Sequence, residues 1–292
     1  MDQDTLGGRI FAVVNTLLLC LITLITLYPC LYVLFASISD GVSLGVGSKL
    51  LIWPKGFQLG SYKMAARNPM LWTGYGNTIL YAVVGTFINM LMTCFAAYVL
   101  SRRYLPGHKI MMRLIVFTMY FSGGMIPMYL WILKLNMLNT IWAMVLPGAI
   151  STWNLIILRT AFLSIPPSME ESAKIDGAND FVILFKIIIP LALPSLAVIL
   201  LYYVVGHWNA FFNALLYLRQ RERFPLQMVL REIVILNETS MLTGVTDSLD
   251  RLQETIPLKY AAIVLSTVPV LCIYPFLQKF FVQGMMVGAV KE

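Results

Sequence analysis

The chain has 292 residues, of which 59% are hydrophobic and 12% charged, with a mean hydropathy of +0.79. A soluble domain carries about a quarter charged residues, so this composition excludes a water-soluble globular protein and makes the bilayer the solvent for most of the chain. The net charge of +7 does not point to nucleic acid, because Lys and Arg of membrane proteins gather near the lipid headgroups and set topology.

Continuous apolar runs, rather than the alternation of a barrel strand, select helices. Charge-free stretches at 10–38, 75–100, 114–133, 135–158, 187–218 and 260–278 predict six spans. The first is too long for a signal-peptide core and has no clear small-residue cleavage site, so it is expected to be retained. Lys134 separates the third and fourth. At a span centre it would cost about 2.5–3.5 kcal/mol, so it is placed in a turn with Asn136 and Asn139. Cys20, Cys30, Cys94 and Cys272 form no CxxC pair, which argues against a disulfide framework or metal site.

The loop after the second span carries Arg102, Arg103, Lys109 and Arg113 without an acid, whereas the turn after the third carries Lys134 alone. By the positive-inside rule the first of these is cytoplasmic, and with six crossings so are both termini. The segment 159–186 is then a cytoplasmic loop, and 39–74 and 219–259 lie outside. These outer loops hold roughly as many basic residues as the inner segments, so the orientation signal resides in the short loops. Within 219–259, Pro225 to Leu236 is apolar enough to lie as a helix against the membrane or a partner.

Pro29, Pro127, Pro147, Pro190, Pro194, Pro269 and Pro275 fall inside the spans, where each removes a backbone hydrogen bond and bends the helix. Asn77, Thr86, Asn89 and Thr93 in the second span suit either a polar path or helix packing. The spans hold no carboxylate and no lysine, leaving His207 as the one ionisable candidate for ion coupling. The energy source is therefore expected in another chain. No GxxxxGK[ST] phosphate loop exists here, and Gly41 to Lys49 reads as a flexible outward loop.

Between the fourth and fifth spans, residues 164–180 read SIPPSMEESAKIDGAND. Ser168 with Glu171 three residues on makes a capping box, Pro166 and Pro167 stop any upstream helix, and Glu170 and Glu171 favour the first turn. Gly177 can end the helix in the left-handed conformation, and Asn179 or Asp180 can cap the next. Ala173 is small enough for another protein surface to approach closely. An ordinary capped connector fits these features equally well.

Glu171-Ser172-Ala173, Gly177, Ile187, Pro190 and Pro194 resemble the EAA loop of binding-protein-dependent ABC importer permeases, with Ser172 replacing the usual first alanine. FSGGMIP at 121–127, LNT at 138–140, LPGAIS at 146–151, KIDGAND at 174–180, GHWN at 206–209 and FVQGMMVGAVK at 281–291 resemble the carbohydrate-type branch. Within it the chain is most similar to second permease subunits grouped with lipoprotein- and YtcP-type polysaccharide or oligosaccharide importers.

The resemblance implies an all-α permease domain over 1–292, with six transmembrane helices and a cytoplasmic coupling helix at 168–178. It implies a bacterial inner-membrane location, with a second homologous permease, two ATPase subunits or a homodimer of one, an extracytoplasmic solute-binding protein and a sugar substrate as partners. Glu170, Glu171, Ala173, Asp176 and Gly177 map to ATPase coupling. No cofactor is expected in this chain; ATP and Mg belong to the ATPases. Trp208 and Asn209 suit interfacial anchoring, or ring stacking and hydrogen bonding to sugar, with Asn89 also on the path. An ATP-independent channel or ion-coupled carrier remains the alternative, and no acid pair, metal set or nucleophile points to an intramembrane enzyme.

Overall fold

The computed structural model describes residues 6–46, 50–102, 104–242, 256–272 and 275, and every regular element among them is helical. Two uninterrupted helices are long and apolar enough to cross a bilayer, α1 (Leu6–Ser37) and α4 (Pro69–Ser101). Between them lie α2 (Gly41–Val46) and α3 (Gly60–Arg67). The residues from Gly41 to Val46, expected as loop, are helical because Asp40 Oδ2 accepts from the Ser43 amide at 3.2 Å. Asn68 caps α4 in the same way, its Oδ1 accepting from the Met70 amide at 3.0 Å. With Pro69 at the first helical position, α4 begins six residues before the expected 75.

The expected third span is broken. Helices α5 (His108–Tyr120) and α6 (Met125–Lys134) meet at 108°. The four residues Phe121-Ser122-Gly123-Gly124 between them contain two glycines, and Gly124 takes φ 86° and ψ 176°, a conformation open essentially to glycine. Asn136 and Asn139 then turn the chain through left-handed backbone, with φ of 54° and 58°. The fourth helix consequently starts at Ile141 and not at 135. Its first part, α7 (Ile141–Val145), runs into a 3₁₀ turn at Leu146–Gly148 and is bent by 51° from α8 (Thr152–Leu163).

The expected 187–218 span differs most. After α9 (Pro167–Ile175), the helix α10 (Asp180–Ile183) widens into a π turn at Leu184–Ile188 and continues as α11 (Ile189–Leu191). A bend of 88° separates this segment from α12 (Leu193–Trp208), which ends well before 218. Pro190 has no N–H for the carbonyl four residues earlier, and a shift to wider spacing accommodates it. Pro194 sits in the first turn of α12, where the missing N–H costs nothing. Pro127 and Pro147 likewise lie in or beside helix starts, so these prolines mark breaks between helices and not kinks within them. The remaining elements are α13 (Phe212–Tyr217), a 3₁₀ turn at Arg221–Arg223, α14 (Leu226–Leu242) and α15 (Ile256–Cys272). Helix α14 covers the expected segment from Leu226 to Leu236, beginning one residue after Pro225. Residues 243–255 and the motif at 281–291 lie outside the described residues.

The chain forms two units, 1–71 with 230–268 and 72–229 with 269–292. In the first, α1 exposes apolar side chains all round, Leu17, Leu24 and Ile25 among them, which requires hydrocarbon as solvent. Tyr32 of α1 packs edge-on against Tyr260 of α15, ring centroids 5.8 Å apart. Asp40 and Lys55 are joined backbone to backbone at 2.8 Å.

The second unit is organised around α4. Its Cys94, Ala97, Tyr98 and Leu100 are buried with Leu158, Phe162, Ile188, Leu196 and Tyr203 from α8 to α12. Its polar residues hold the breaks of other helices. Asn89 is fully buried, and its Nδ2 donates to the carbonyls of Gly148 (2.6 Å) and Ala149 (2.9 Å), where α7 and α8 part. Thr93 Oγ1 lies 2.7 Å from the Tyr203 hydroxyl, which accepts from the Ser151 amide at 3.1 Å in the same break. At the other end Asn77 donates to Glu222 O (2.7 Å), Tyr81 to Arg223 O (2.7 Å), and Thr78 Oγ1 accepts from the Leu226 amide (2.8 Å). Packing between helices, one of the two roles open to these residues, is what the structure gives Asn77, Asn89 and Thr93.

The Asn89 carboxamide also meets His207 Nε2 of α12 at 2.6 Å through Oδ1. This contact needs Gly85, because a Cβ there would fall 2.4 Å from the His207 ring. Gly85→Ala is expected to destabilise the detergent-purified protein by about 1–3 kcal/mol through overpacking, read as a lowered Tm. Gly76→Ala in the same helix, with open space around it, is expected to leave Tm unchanged or raise it; equal melting of the two variants would show that this approach is not tight.

Candidate functional site

The segment between α8 and α10 begins with a structural correction. The helix α9 starts at Pro167, with Pro166 as its N-cap and no side-chain cap. Proline's fixed φ and absent N–H suit it to the first helical position, so the helix begins one residue before the expected Ser168, and the capping box with Glu171 does not form. Starting at Pro167 moves each later residue to a definite face. Glu170 and Ala173, three apart, turn inward, while Glu171, Ser172, Ile175 and Asp176 face outward.

The end of α9 matches expectation closely. Gly177 has φ +80°, its amide donates to Lys174 O at 3.0 Å, and the Ala178 amide donates to Ala173 O at 2.9 Å. These are the two hydrogen bonds of a Schellman closure. Asn179 then caps α10, its Oδ1 accepting from the Val182 amide at 2.9 Å. The two helices are thus joined by a fixed turn.

Glu170, expected at the coupling surface, is instead held inside the chain. Its Oε2 lies 2.5 Å from Arg102 Nη1, with the two side chains 9% and 12% exposed, and Lys174 Nζ lies 3.0 Å from its Oε1. That hydrogen bond holds the Lys174 ammonium above its ordinary pKa. Arg102 stacks on the Tyr98 ring at 4.2 Å, and the Tyr98 hydroxyl donates to Asp180 Oδ1 at 3.2 Å. Arg159 Nε caps the last turn of α4 by donating to Leu100 O at 2.8 Å. Ala173 is buried in the same core as Leu158 and Phe162, so its small size serves this chain's own packing. A cleft of about 560 Å³ opens beside the cluster, lined by Ser101, Arg102, Phe162, Pro166, Glu171 and Lys174.

The outward face carries residues that the sequence reading did not single out. Ile175 is 87% exposed, and Met169 and Phe181 are also exposed. Ile175 thus shares the exposed side of a short helix with Glu171 and Asp176. Its signal in the sequence was the four-residue spacing from Glu171 to Ile175 once α9 is started at Pro167. Arg102, read as a topology charge, was missed because its partner is far away in the sequence.

The expected substrate-path residues do not converge. Trp208 is buried, edge-on to Tyr75 at 6.3 Å, and lines an apolar hollow of about 500 Å³ with Ile79, Val83, Phe87, Leu200 and Val204. Asn209 is exposed at the end of α12, where Gln227 Nε2 donates to it at 3.3 Å. Asn89 is fully buried with its carboxamide committed to the backbone and to His207. Among the described residues no group of three His, Cys, Asp or Glu is placed to hold a metal.

Six apolar regions, three of them broken, frame a capped polar helix between the fourth and fifth. Residues 70–287 match the binding-protein-dependent transport system inner membrane component. The chain belongs to this family. It is 41% identical to Protein LplC of Bacillus subtilis (strain 168), over 99% of this chain and 97% of that protein. It is 40% identical to the polygalacturonan/rhamnogalacturonan transport system permease protein YtcP of the same organism, over 97% and 99%. Among solved structures it resembles a chain of a bacterial ABC transporter involved in the import of the acidic polysaccharide alginate, with TM-score 0.88 and 36% identity, covering 96% of this chain and all of that one. The all-helical permease architecture is therefore established, and the chain is a membrane transport component rather than an enzyme.

The Schellman closure of this permease yields a local test. Gly177→Val forces a β-branched side chain into left-handed backbone at about 1–2 kcal/mol, which is expected to speed hydrogen exchange of the Gly177 and Ala178 amides about tenfold while leaving α4 protected. Asn179→Ala removes a cap worth about 1 kcal/mol and is expected to speed exchange at Val182. Unchanged exchange at both positions would show that the turn is held by other contacts.

Proposed function

We propose that this permease is one of two membrane-spanning subunits of an ATP-driven importer of oligo- or polysaccharide, and that it couples to ATPase subunits through the outward face of α9. The observation that carries the reading is the division of that helix. Glu170 and Ala173 are locked inside, while Glu171, Ile175 and Asp176 remain exposed on a helix closed at its C-terminal end. A helix so held moves as a unit, whereas a flexible loop would absorb the displacement of a docked partner.

In this reading α9 and both termini face the cytoplasm, as the basic loop 102–113 requires. ATP and Mg are bound by the ATPases, a second homologous permease completes the path, and a solute-binding protein delivers the sugar from outside. Closure of the ATPases draws the paired α9 helices together and swings the spans between inward and outward openings. The carbohydrate class is supported by relatives named for polygalacturonan and rhamnogalacturonan transport and for alginate import.

The test is co-purification with the candidate ATPase, comparing wild type with Glu171→Lys and Gly177→Asp. The wild type is expected to retain the ATPase and both variants to lose it or lose coupled hydrolysis. Proteoliposomes holding the permeases, the ATPase and the binding protein are expected to accumulate labelled oligosaccharide only with ATP. Uptake by this chain alone without ATP would overturn the importer reading in favour of a channel or carrier.

A further inference from the structure

We propose that Glu170 and Arg102 are positioning residues that clamp α9 to the end of α4 and the beginning of α10, so that a displacement of α9 reaches both helices together. The inference rests on the coupling role proposed for α9 and adds the route by which its motion leaves it.

Two elements meet at one guanidinium, and a third joins them through the tyrosine on which it stacks. Arg102, in the residue after α4, contacts the Glu170 carboxylate of α9 at 2.5 Å and lies over the ring of Tyr98, one turn back in α4. The same tyrosine reaches Asp180, the first residue of α10, through its hydroxyl. Arginine suits this position because its planar, always-charged group can pair with a carboxylate at its edge and stack on a ring through its face. Among the described residues Arg102 has no other ion pair, and its Nε and Nη2 are buried without a hydrogen-bond partner. Loss of Glu170 therefore strands a buried cation.

Adhesion alone does not account for an ion pair here. Ala173 already packs α9 into the apolar core, and a buried pair is often no more stabilising than apolar residues of the same volume. What the pair adds is direction: it fixes the rotation of α9, keeping Glu170 inward and its neighbour Glu171 outward. The two ends of the clamp also lead to different parts of the permease. Through α4 the displacement reaches Asn89, and with it the break between α7 and α8 and His207 of α12. Through α10 it reaches the π turn at Leu184–Ile188 and the 88° bend that follows.

The experiment uses the assembled importer in proteoliposomes, with Glu170→Gln, Arg102→Met, the exchanged pair Glu170→Arg with Arg102→Glu, and Arg102→Lys. The single variants are expected to retain the ATPase on co-purification and to keep basal ATP hydrolysis. Their oligosaccharide uptake per ATP hydrolysed is expected to fall at least tenfold. The exchanged pair is expected to recover uptake to within about threefold of wild type. A purely structural role would lower yield and Tm without changing the ratio of transport to hydrolysis. Uptake per ATP equal to wild type in the singles, or an exchanged pair no better than either single, overturns the clamp. Should Glu170→Gln and Arg102→Met fail to assemble, Arg102→Lys keeps the charge while losing the planar stack, and undiminished coupling in that variant overturns the clamp as well. A wild type that binds no ATPase would instead overturn the coupling role itself, so the two failures are distinct.

Discussion

Lipid offers no hydrogen bonds, so each interruption of a membrane helix leaves amides and carbonyls that the protein must satisfy itself. In this permease α4 meets much of that requirement. Its Asn89 carboxamide takes two carbonyls where α7 ends, its Thr93 supports the tyrosine that receives the Ser151 amide, and its Thr78 takes the first amide of α14. An uninterrupted helix of 33 residues thereby becomes the element against which the broken ones are registered. Breaks that would be defects elsewhere become defined joints.

The same helix ends at the candidate coupling site. Its last turn is capped by Arg159, and the next residue pairs with Glu170. The neighbouring acids of α9 thus divide the work, Glu170 holding the helix to this chain and Glu171 facing away from it. An EAA-type loop read only as a docking surface hides this division, because adjacent positions on a helix point about 100° apart. The segment is fixed from two sources, the Schellman closure within it and the ion pair beneath it.

Much of the architecture was legible in the sequence. The turn made by Asn136 and Asn139, the left-handed Gly177 and the Asn179 cap appear at the expected places, because each depends on residues within a turn or two of one another, whereas the apolar regions are helical with shifted bounds and, in three of them, a break. The misreadings arose from local alternatives that sequence scanning weighs wrongly. A capping-box pattern at Ser168 lost to proline's preference for the first helical position. Apolar runs without charges were read as continuous helices, although FSGG at 121–124 and the Pro190–Pro194 pair break them. Hydropathy measures solvent preference and is blind to backbone continuity.

By itself the sequence determined the solvent, the helical class, the family and the segment where coupling is expected, since composition, run length and short motifs carry that information. Tertiary structure alone decided which polar residues are spent inside. Asn89, expected along a path, is consumed by backbone carbonyls 59 and 60 residues away. Arg102, expected at the headgroups, meets a carboxylate 68 positions later in the chain. Partnerships across such separations depend on how helices pack, and a side chain's chemistry in isolation does not state which distant group will be brought beside it.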